Sequence, residues 1–325
     1  MNLSVILPCF NGAATLDVQL QALTRQHWDA GWELVVVNNG STDGSMDLVE
    51  RYRGRIPVLS IVHAHIPGTR RLGVPHSYNV GIQAARGDAF VFCEADDEVA
   101  EGWLTAMGEA LAQHDFVCAR LDHRKLNPEW LHPAEGDGYQ SAGLSKLEGH
   151  TGYAHASGCS FGMRRSLYER VGPLNTDFPF AHDTEYSWRV QSAGYALHFE
   201  PEALIHYREK TALRARFIQG KNWGRDATRL TCHYGESLGR FALLRQLVGM
   251  TRALPRGARA WLSYASGRPK GGWLLAEWVW SMGWSMGRLQ AIGEGAVPAR
   301  RQGLSGPAAD STLFAPTESA DRAAP

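Results

Sequence analysis

"NVGIQAARGDAFVFCEADDE", residues Asn79–Glu98, runs from a helical pattern through a glycine into an apolar stretch and then into four carboxylates. Gly87 is placed to end the helix begun at "HSYNVG". The apolar stretch Asp88–Cys93 reads as a buried strand. Glu94, Asp96, Asp97 and Glu98 then crowd five positions. Like charges so close raise one another's pKa unless something positive stands among them. Two readings are open at this point: an acidic loop facing water, or a group that holds a cation.

The same helix-to-strand punctuation recurs upstream. "LSVILP" (Leu3–Pro8), "WELVVVN" (Trp32–Asn38) and "PVLSIV" (Pro57–Val62) read as strands. "ATLDVQLQALTRQ" has Leu16, Leu20 and Leu23 at helical spacing, and "STDGSMDLVERYR" is a polar turn entering a helix. Strands alternating with amphipathic helices predict βαβ units and a mostly parallel sheet flanked by helices. Ligands of such sheets bind beyond the carboxyl ends of the strands. "CFNG", "NNGSTD" and the acidic group all fall at that edge. No GxGxxG follows the first strand and no GxxxxGK[ST] occurs, which argues against a dinucleotide or P-loop site.

Downstream, a helix near Glu101–Gln113 and a strand near Phe116–Arg120 are expected, and then a long loop or small subdomain over 121–150. "GCSFGMRRSLYERVG" resumes structure, "DTEYSWRVQSAGY" is a helix, and "ALHFEPEALIHYR" reads as two short strands. From Ser237 to about Ile292 the pattern is helical. "RFALLRQLVGM" puts Phe241, Leu244 and Val248 on one stripe with arginines elsewhere. "GGWLLAEWVWSMGWSMGRLQ" carries four tryptophans and is apolar nearly all round. It reads either as a helical hairpin packed on the main domain or as an interfacial helix among lipid headgroups. Residues 294–325 have a disordered composition.

The chain has 325 residues and a formal net charge of zero. The charge is uneven: fifteen Lys/Arg against four Asp/Glu lie between Arg208 and Arg288. Such a basic segment is either a solvated face or a surface for an anionic partner such as a membrane. Five scattered cysteines without a CxxC pair point to free thiols in a reducing compartment rather than to zinc or disulfides. A leader peptide and a spanning helix are not expected.

In order, "SVILPCFNGAATLDVQLQAL", "VVVNNGSTDGS", "NVGIQAARGDAFVFCEADDE" and "AHDTEYSWRVQSAGY" resemble the motifs of family 2 glycosyltransferases with a GT-A fold. The resemblance covers about residues 1–210. It implies a GT-A domain with a nucleotide-binding half (1–98) and an acceptor half (99–210), followed by a basic, Trp-rich helical extension (211–293). It also implies a nucleotide-diphosphate sugar donor and Mg²⁺ or Mn²⁺. Glu94 and Asp96 stand at the family's DxD positions, with Glu where Asp is usual. A departing diphosphate gains charge that a hard divalent cation can carry, and hard cations take carboxylate oxygens.

The resemblance further implies Asp183, in "PFAHDTEYSW", as general base; an Asp there is otherwise an ordinary helix N-cap. His182 and Glu185 become acceptor candidates. His206 in "ALIHYR" becomes a third metal ligand, although a lone histidine is as readily structural. Pro8, Phe10, Asn11, Asn38, Asp43, Asn79 and Asp96 are the nucleotide-sugar candidates, with Phe10 placed to cover the base. Asn38 replaces the usual Asp, and Asp43 is equally suited to cap the next helix. Tyr78 stands where an Arg is frequent, leaving Arg70, Arg71 or His76 to supply positive charge.

These features converge on an inverting, metal-dependent glycosyltransferase acting on a glycan or lipid-linked glycan acceptor in cell-surface polysaccharide assembly. It is expected in the cytoplasm, with a peripheral contact at the anionic inner face of the cell membrane and no nucleic-acid partner. Two alternatives stay open: a degenerate GT-A protein that binds nucleotide-sugar without turnover, and a nucleotidyltransferase. "PCFNGAATL" has no basic residue to hold a triphosphate, which counts against the second.

Overall fold

The computed structural model describes residues 1–133, 138–147, 152–235 and 237–295. From residue 296 the predicted tail lies outside the described residues. Leu3–Cys9 (β1) and Trp32–Asn38 (β2) are near-continuous apolar runs, as strands covered on both faces require. They pair in parallel from Leu3↔Trp32 to Cys9↔Asn38. Leu59–His63 (β3) extends the sheet beyond β2, and Ala89–Phe92 (β4) pairs in parallel with the other side of β1. The strand order therefore reverses between β1 and β4, which is a switch point of the kind where ligands bind. Alternate residues of β1 feed two cores. Leu3, Val5 and Leu7 face Leu16–Leu23 (α1) and Trp103–Gln113 (α4), while Ile6 faces Val74–Ala84 (α3). On α3, a Cβ at Gly81 would lie 2.5 Å from Ile6 Cγ2, so only glycine lets this helix sit so close to the sheet. Ser45–Glu50 (α2) links β2 to β3.

The second half of the sheet is mixed. Glu98–Val99 (β5), Phe116–Asp122 (β6) and His198–His206 (β10) join Phe161–Arg164 (β9) in the order β3-β2-β1-β4-β9-β6-β10-β5. β9 runs antiparallel between β4 and β6. The two strands expected in "ALHFEPEALIHYR" are one: β10 is continuous, with a register shift between Glu200 and Leu204. The stretch expected to be a long loop holds a 3₁₀ turn at Glu129–Leu131 and a strand Ser145–Lys146 (β7) paired with Ala154–His155 (β8). Arg165–Val171 (α5) and His182–Ser192 (α6) complete this part. All five cysteines are buried and free.

Three helices follow: Leu213–His233 (α7), Ala242–Ala265 (α8) and Gly271–Gly293 (α9). α7 and α9 touch through backbone. A Cβ at Gly220 or Gly224 would come within 2.3 Å of the Trp280 or Trp284 carbonyl oxygen. In return, Cβ atoms at Gly283 and Gly287 would come within 2.2 and 2.0 Å of the Phe217 and Lys221 carbonyls. Small residues four apart on both helices permit this approach. The buried Asp226 ties α7 to the sheet domain by accepting the Phe180 amide at 3.0 Å. Among the described residues no helix is long and apolar enough to cross a membrane.

Gly287→Val forces α7 and α9 apart and is expected to cost about 1–3 kcal/mol in urea unfolding, the usual range for overpacking. Gly293→Ala on the same helix meets nothing within 4 Å and is expected to be neutral or slightly stabilising.

Candidate active site

The loops after β1, β2 and β4 are knitted together at one edge of the sheet. The Asn39 amide donates to the Cys9 carbonyl at 2.9 Å, and the Thr42 amide to Asn11 Oδ1 at 2.9 Å. Asp43 Oδ2 accepts the Ala13 amide at 3.0 Å, and its Oδ1 accepts from the Ser45 amide and hydroxyl. The hydrogen bond from Ser45 holds the Asp43 carboxyl below its ordinary range. Thr15 Oγ1 donates to the Ala95 carbonyl and Gln19 Nε2 to the Glu94 carbonyl, both at 3.0 Å, which pins the acidic loop to α1.

Within that loop the four carboxylates have separate fates. Glu98 enters β5 and is neutralised by Lys125 Nζ at 2.8 Å, with Arg25 at 3.7 Å. The oxygens of Glu94, Asp96 and Asp97 converge to within 4.8 Å of one another. Burial and then Asp96 push the Glu94 carboxyl up to about 8, with Asp183 adding to the effect and Lys210 opposing it. Burial, Asp96 and Glu94 likewise hold Asp97 well above the carboxylate range. Its Oδ1 accepts the Arg208 amide at 2.8 Å. Its Oδ2 is buried with only the weakly donating Cys159 thiol nearby. Lys210 Nζ sits 2.8 Å from Asp96 Oδ2, and Arg208 Nε donates to the Asp96 carbonyl at 2.7 Å. Three convergent oxygens, raised protonation and an unsatisfied buried oxygen are what an all-oxygen site for a hard divalent cation shows, so Mg²⁺ or Mn²⁺ fits these residues.

Asp97 joins Glu94 and Asp96 in this convergent group. His206 Nδ1 lies 2.7 Å from Asp122 Oδ2 at the end of β6, which leaves Nε2 for any other contact. Asp183 is the second residue of α6, and Ala181 is the N-cap, so Asp183 is not the helix cap. Its Oδ2 accepts the Gly158 amide at 2.9 Å and its Oδ1 the Thr184 amide at 2.7 Å. The carboxylate is thereby fixed with lone pairs to spare. The Gly158 carbonyl accepts the buried Tyr78 hydroxyl at 2.9 Å. A Cβ at Gly158 would stand 3.1 Å from His182 Nε2 and 3.6 Å from Asp183 Oδ2. Tyr78, in the place of the family's Arg, thus supports the backbone that holds Asp183.

The two acceptor candidates do not reach open space. His182 is buried, its Nδ1 is 3.2 Å from the Pro179 carbonyl, and burial lowers its pKa. Glu185 is buried in a two-oxygen pair with Arg189, 2.9 Å at each contact. Residues four apart share one face of a helix, which is how Arg189 meets it. Asn79 is also spent: its amide exchanges 2.9 Å hydrogen bonds with both backbone groups of Leu174. Asn38 Oδ1 accepts the Gly40 and Ser41 amides, a turn-closing role that an Asp would fill as well. Of the nucleotide candidates, Phe10 is 41% exposed, with the Arg71 guanidinium 3.2 Å from its ring centroid. Pro8 is half-buried at the end of β1.

Sequence reasoning passed over Arg208 and Lys210, and also a cavity of about 500 Å³ beside Asp183. Its walls include Trp223 of α7 and Trp273, Trp280 and Trp284 of α9, facing His155, Ser157 and Asp183. Trp280 stacks on Trp284 at 5.2 Å and meets Trp223 edge-on at 6.1 Å. On the floor, Arg216 binds Glu209 at 2.9 Å and Glu277 at 2.7 Å. The sequence showed four tryptophans in the last helix; it did not show that three of them, Trp273, Trp280 and Trp284, join Trp223 of α7 in a wall beside Asp183.

The model of the family "Glycosyl transferase family 2" matches residues 4–172, more than half of the chain. The uncharacterized glycosyltransferase YibD of Escherichia coli K12 is 28% identical over 145 residues, 45% of this chain and 39% of that protein. The PGL/p-HBAD biosynthesis glycosyltransferase of Mycobacterium bovis BCG is 27% identical over 193 residues, 58% of this chain and 69% of that one. The chain thus spans well under half of the length of YibD, and about half, 54%, of the probable glycosyltransferase YdaM of Bacillus subtilis. Among solved structures, the mannosyltransferase PcManGT of Pyrobaculum calidifontis, in complex with GDP-Man and Mn²⁺, shares the fold. It aligns over 84% of this chain and 85% of its own, with a TM-score of 0.55 and 19% identity. With the four motifs, the reversed strand order and the acidic edge on one scaffold, the chain belongs to glycosyl transferase family 2.

Proposed function

We propose that this chain is an inverting glycosyltransferase that moves a sugar from a nucleotide-diphosphate donor to a hydroxyl of a glycan or lipid-linked glycan. The observation that carries the reading is the placement of Asp183 against the Glu94, Asp96 and Asp97 group: Asp183 lines the cavity and is close enough to Glu94 to raise its pKa. Gly158, whose amide binds Asp183 Oδ2, is followed by Cys159, whose thiol meets Asp97, so base and acidic group are held by neighbouring residues of one segment. The donor's nucleoside lies over Pro8, Phe10 and Asn11, where the aromatic face of Phe10, backed by Arg71, offers a stacking platform.

In the reaction, Asp183 accepts the proton of the acceptor hydroxyl. The hydroxyl oxygen forms its bond to the anomeric carbon as the carbon–phosphate-oxygen bond breaks on the opposite face. The electron pair leaves with the nucleoside diphosphate, whose charge meets Lys210 and Arg208. A divalent cation held by Glu94, Asp96 and Asp97, with His206 Nε2 as a further candidate ligand, supplies Lewis-acid stabilisation of that charge. Gly158 and Thr184 keep the base oriented. The acceptor enters through the tryptophan-walled cavity, where the apolar faces of sugar rings pack on indoles and their hydroxyls meet the polar floor.

Asp183→Asn is expected to lower the transfer rate by about 10²–10⁴-fold and to leave stabilisation by nucleoside diphosphate intact in a thermal-shift assay. A variant as active as the parent would remove Asp183 from the chemistry.

The metal has its own test. With Glu94 raised from 4.5 to about 8, the folded chain holds a proton that the unfolded chain has lost across that window. Metal-free stability therefore falls as pH rises from about 5 to 8. A cation needs the ionised carboxyl. Mn²⁺ is thus expected to raise the melting temperature more at pH 8 than at pH 6, and Asp96→Asn to abolish the increment at both.

A further inference from the structure

α8 has three faces. Gly257 and Ala260 are its buried residues, and a Cβ at Gly257 would lie 2.2 Å from the Trp278 ring of α9. That narrow contact, with the Trp278 indole donating to the Ala253 carbonyl at 3.0 Å, packs one side of the helix. A second side carries Leu243, Leu247, Leu254 and Trp261, at spacings of four and seven, with Leu244 and Leu262 beside them. All six are 46–59% exposed. The third side carries Arg245, Arg252, Arg256 and Arg259, which the 3.6-residue period sets in one exposed row along the apolar stripe. No Asp or Glu occurs between Arg240 and Glu277.

A stripe of this size on a soluble surface marks an interaction site. We infer that α8 is a membrane-docking surface that lies in the plane of an anionic bilayer, with the leucines and Trp261 among the acyl chains and the arginine row at the phosphates. Charge selects this occupant. A second copy docked on the same face would bring two arginine rows together with no carboxylate on α8 to pair them, whereas anionic headgroups match the row. An apolar face flanked by Arg, with an aromatic residue at its edge, is the composition of an in-plane interfacial helix. Among the described residues no helix is able to span a bilayer, and α8 takes the in-plane position. The inference stands apart from the transferase reading, because neither stripe touches Asp183 or the acidic group.

Flotation of the full chain with vesicles tests it. The protein is expected to float with phosphatidylcholine–phosphatidylglycerol vesicles and to stay below with phosphatidylcholine alone. Replacing Arg245, Arg252, Arg256 and Arg259 together by Gln should weaken partitioning by roughly several hundredfold, since each basic side chain near an anionic surface contributes about fivefold. Leu247→Ser/Leu254→Ser/Trp261→Ser should remove the binding that survives high salt. Both variants leave Gly257 and Ala260 in place, and an unchanged melting temperature confirms that they fold. A parent chain that ignores anionic vesicles, or a serine variant that floats like the parent, overturns the inference. A dimer in sedimentation velocity that the serine variant dissociates would give the stripe to a second copy and overturn it equally.

Discussion

Two unit charges 4 Å apart repel by roughly 4 kcal/mol at an effective dielectric constant of about 20, and the end of β4 places three carboxyl groups about that far apart. A chain left to itself would splay such a loop into water. Here Gln19 and Thr15 of the α1 region hold its backbone carbonyls, and Arg208 holds both the Asp96 carbonyl and Asp97. The repulsion appears in the raised Glu94 and Asp97 carboxyls and in a Lys210 ammonium held above its ordinary value, mainly by Asp96 against the cost of its burial. Under the proposed function a bound cation would relieve this repulsion, which the scaffold otherwise sustains.

The constraint reaches back to the parallel sheet. The acidic loop meets the loops after β1 and β2 only because β4 pairs with β1 at Leu3↔Ala89 while β2 pairs with its other side at Leu3↔Trp32. Slipping either strand by one residue would turn its buried face to the opposite core. Gly81 adds a second fixed point, since α3 must lie against Ile6 and Val37 for Tyr78 to reach the Gly158 carbonyl beneath Asp183.

What the sequence revealed follows from range. The first four strands and their helices were legible because each element carries its own period and punctuation, and the acidic run stood out by its spacing; Asp183 was singled out only through the resemblance. Partnerships formed across the sheet were not legible. Nothing local to Asn79 announces that Leu174 occupies it, and nothing local to Glu185 shows that Tyr234 reaches it. β9 was missed as a central strand because Phe161–Arg164 is short and pairs only with distant segments. His206 was read for its position at a strand end, but Asp122, eighty-four residues away, claims its Nδ1.

The segment Arg208–Glu209–Lys210 shows how the helices bear on the chemistry. Successive side chains of an extended segment point to opposite sides. Arg208 and Lys210 turn toward Asp96 and Asp97, and Glu209 between them turns to His123 and Arg216. Arg216 in turn binds Glu277 of α9. Three consecutive residues thus join the acidic group to α7 and α9, and through Gly257 and Trp278 to α8. Displacing α9 would unseat Arg216. Glu209 would then lose a buried partner, a loss usually more costly than the pair's own net worth. The tryptophan wall, the acidic group and the basic outer helix are in this way joined by one continuous series of contacts, from Asp96 through Lys210, Glu209, Arg216 and Glu277 to Trp278 and Gly257.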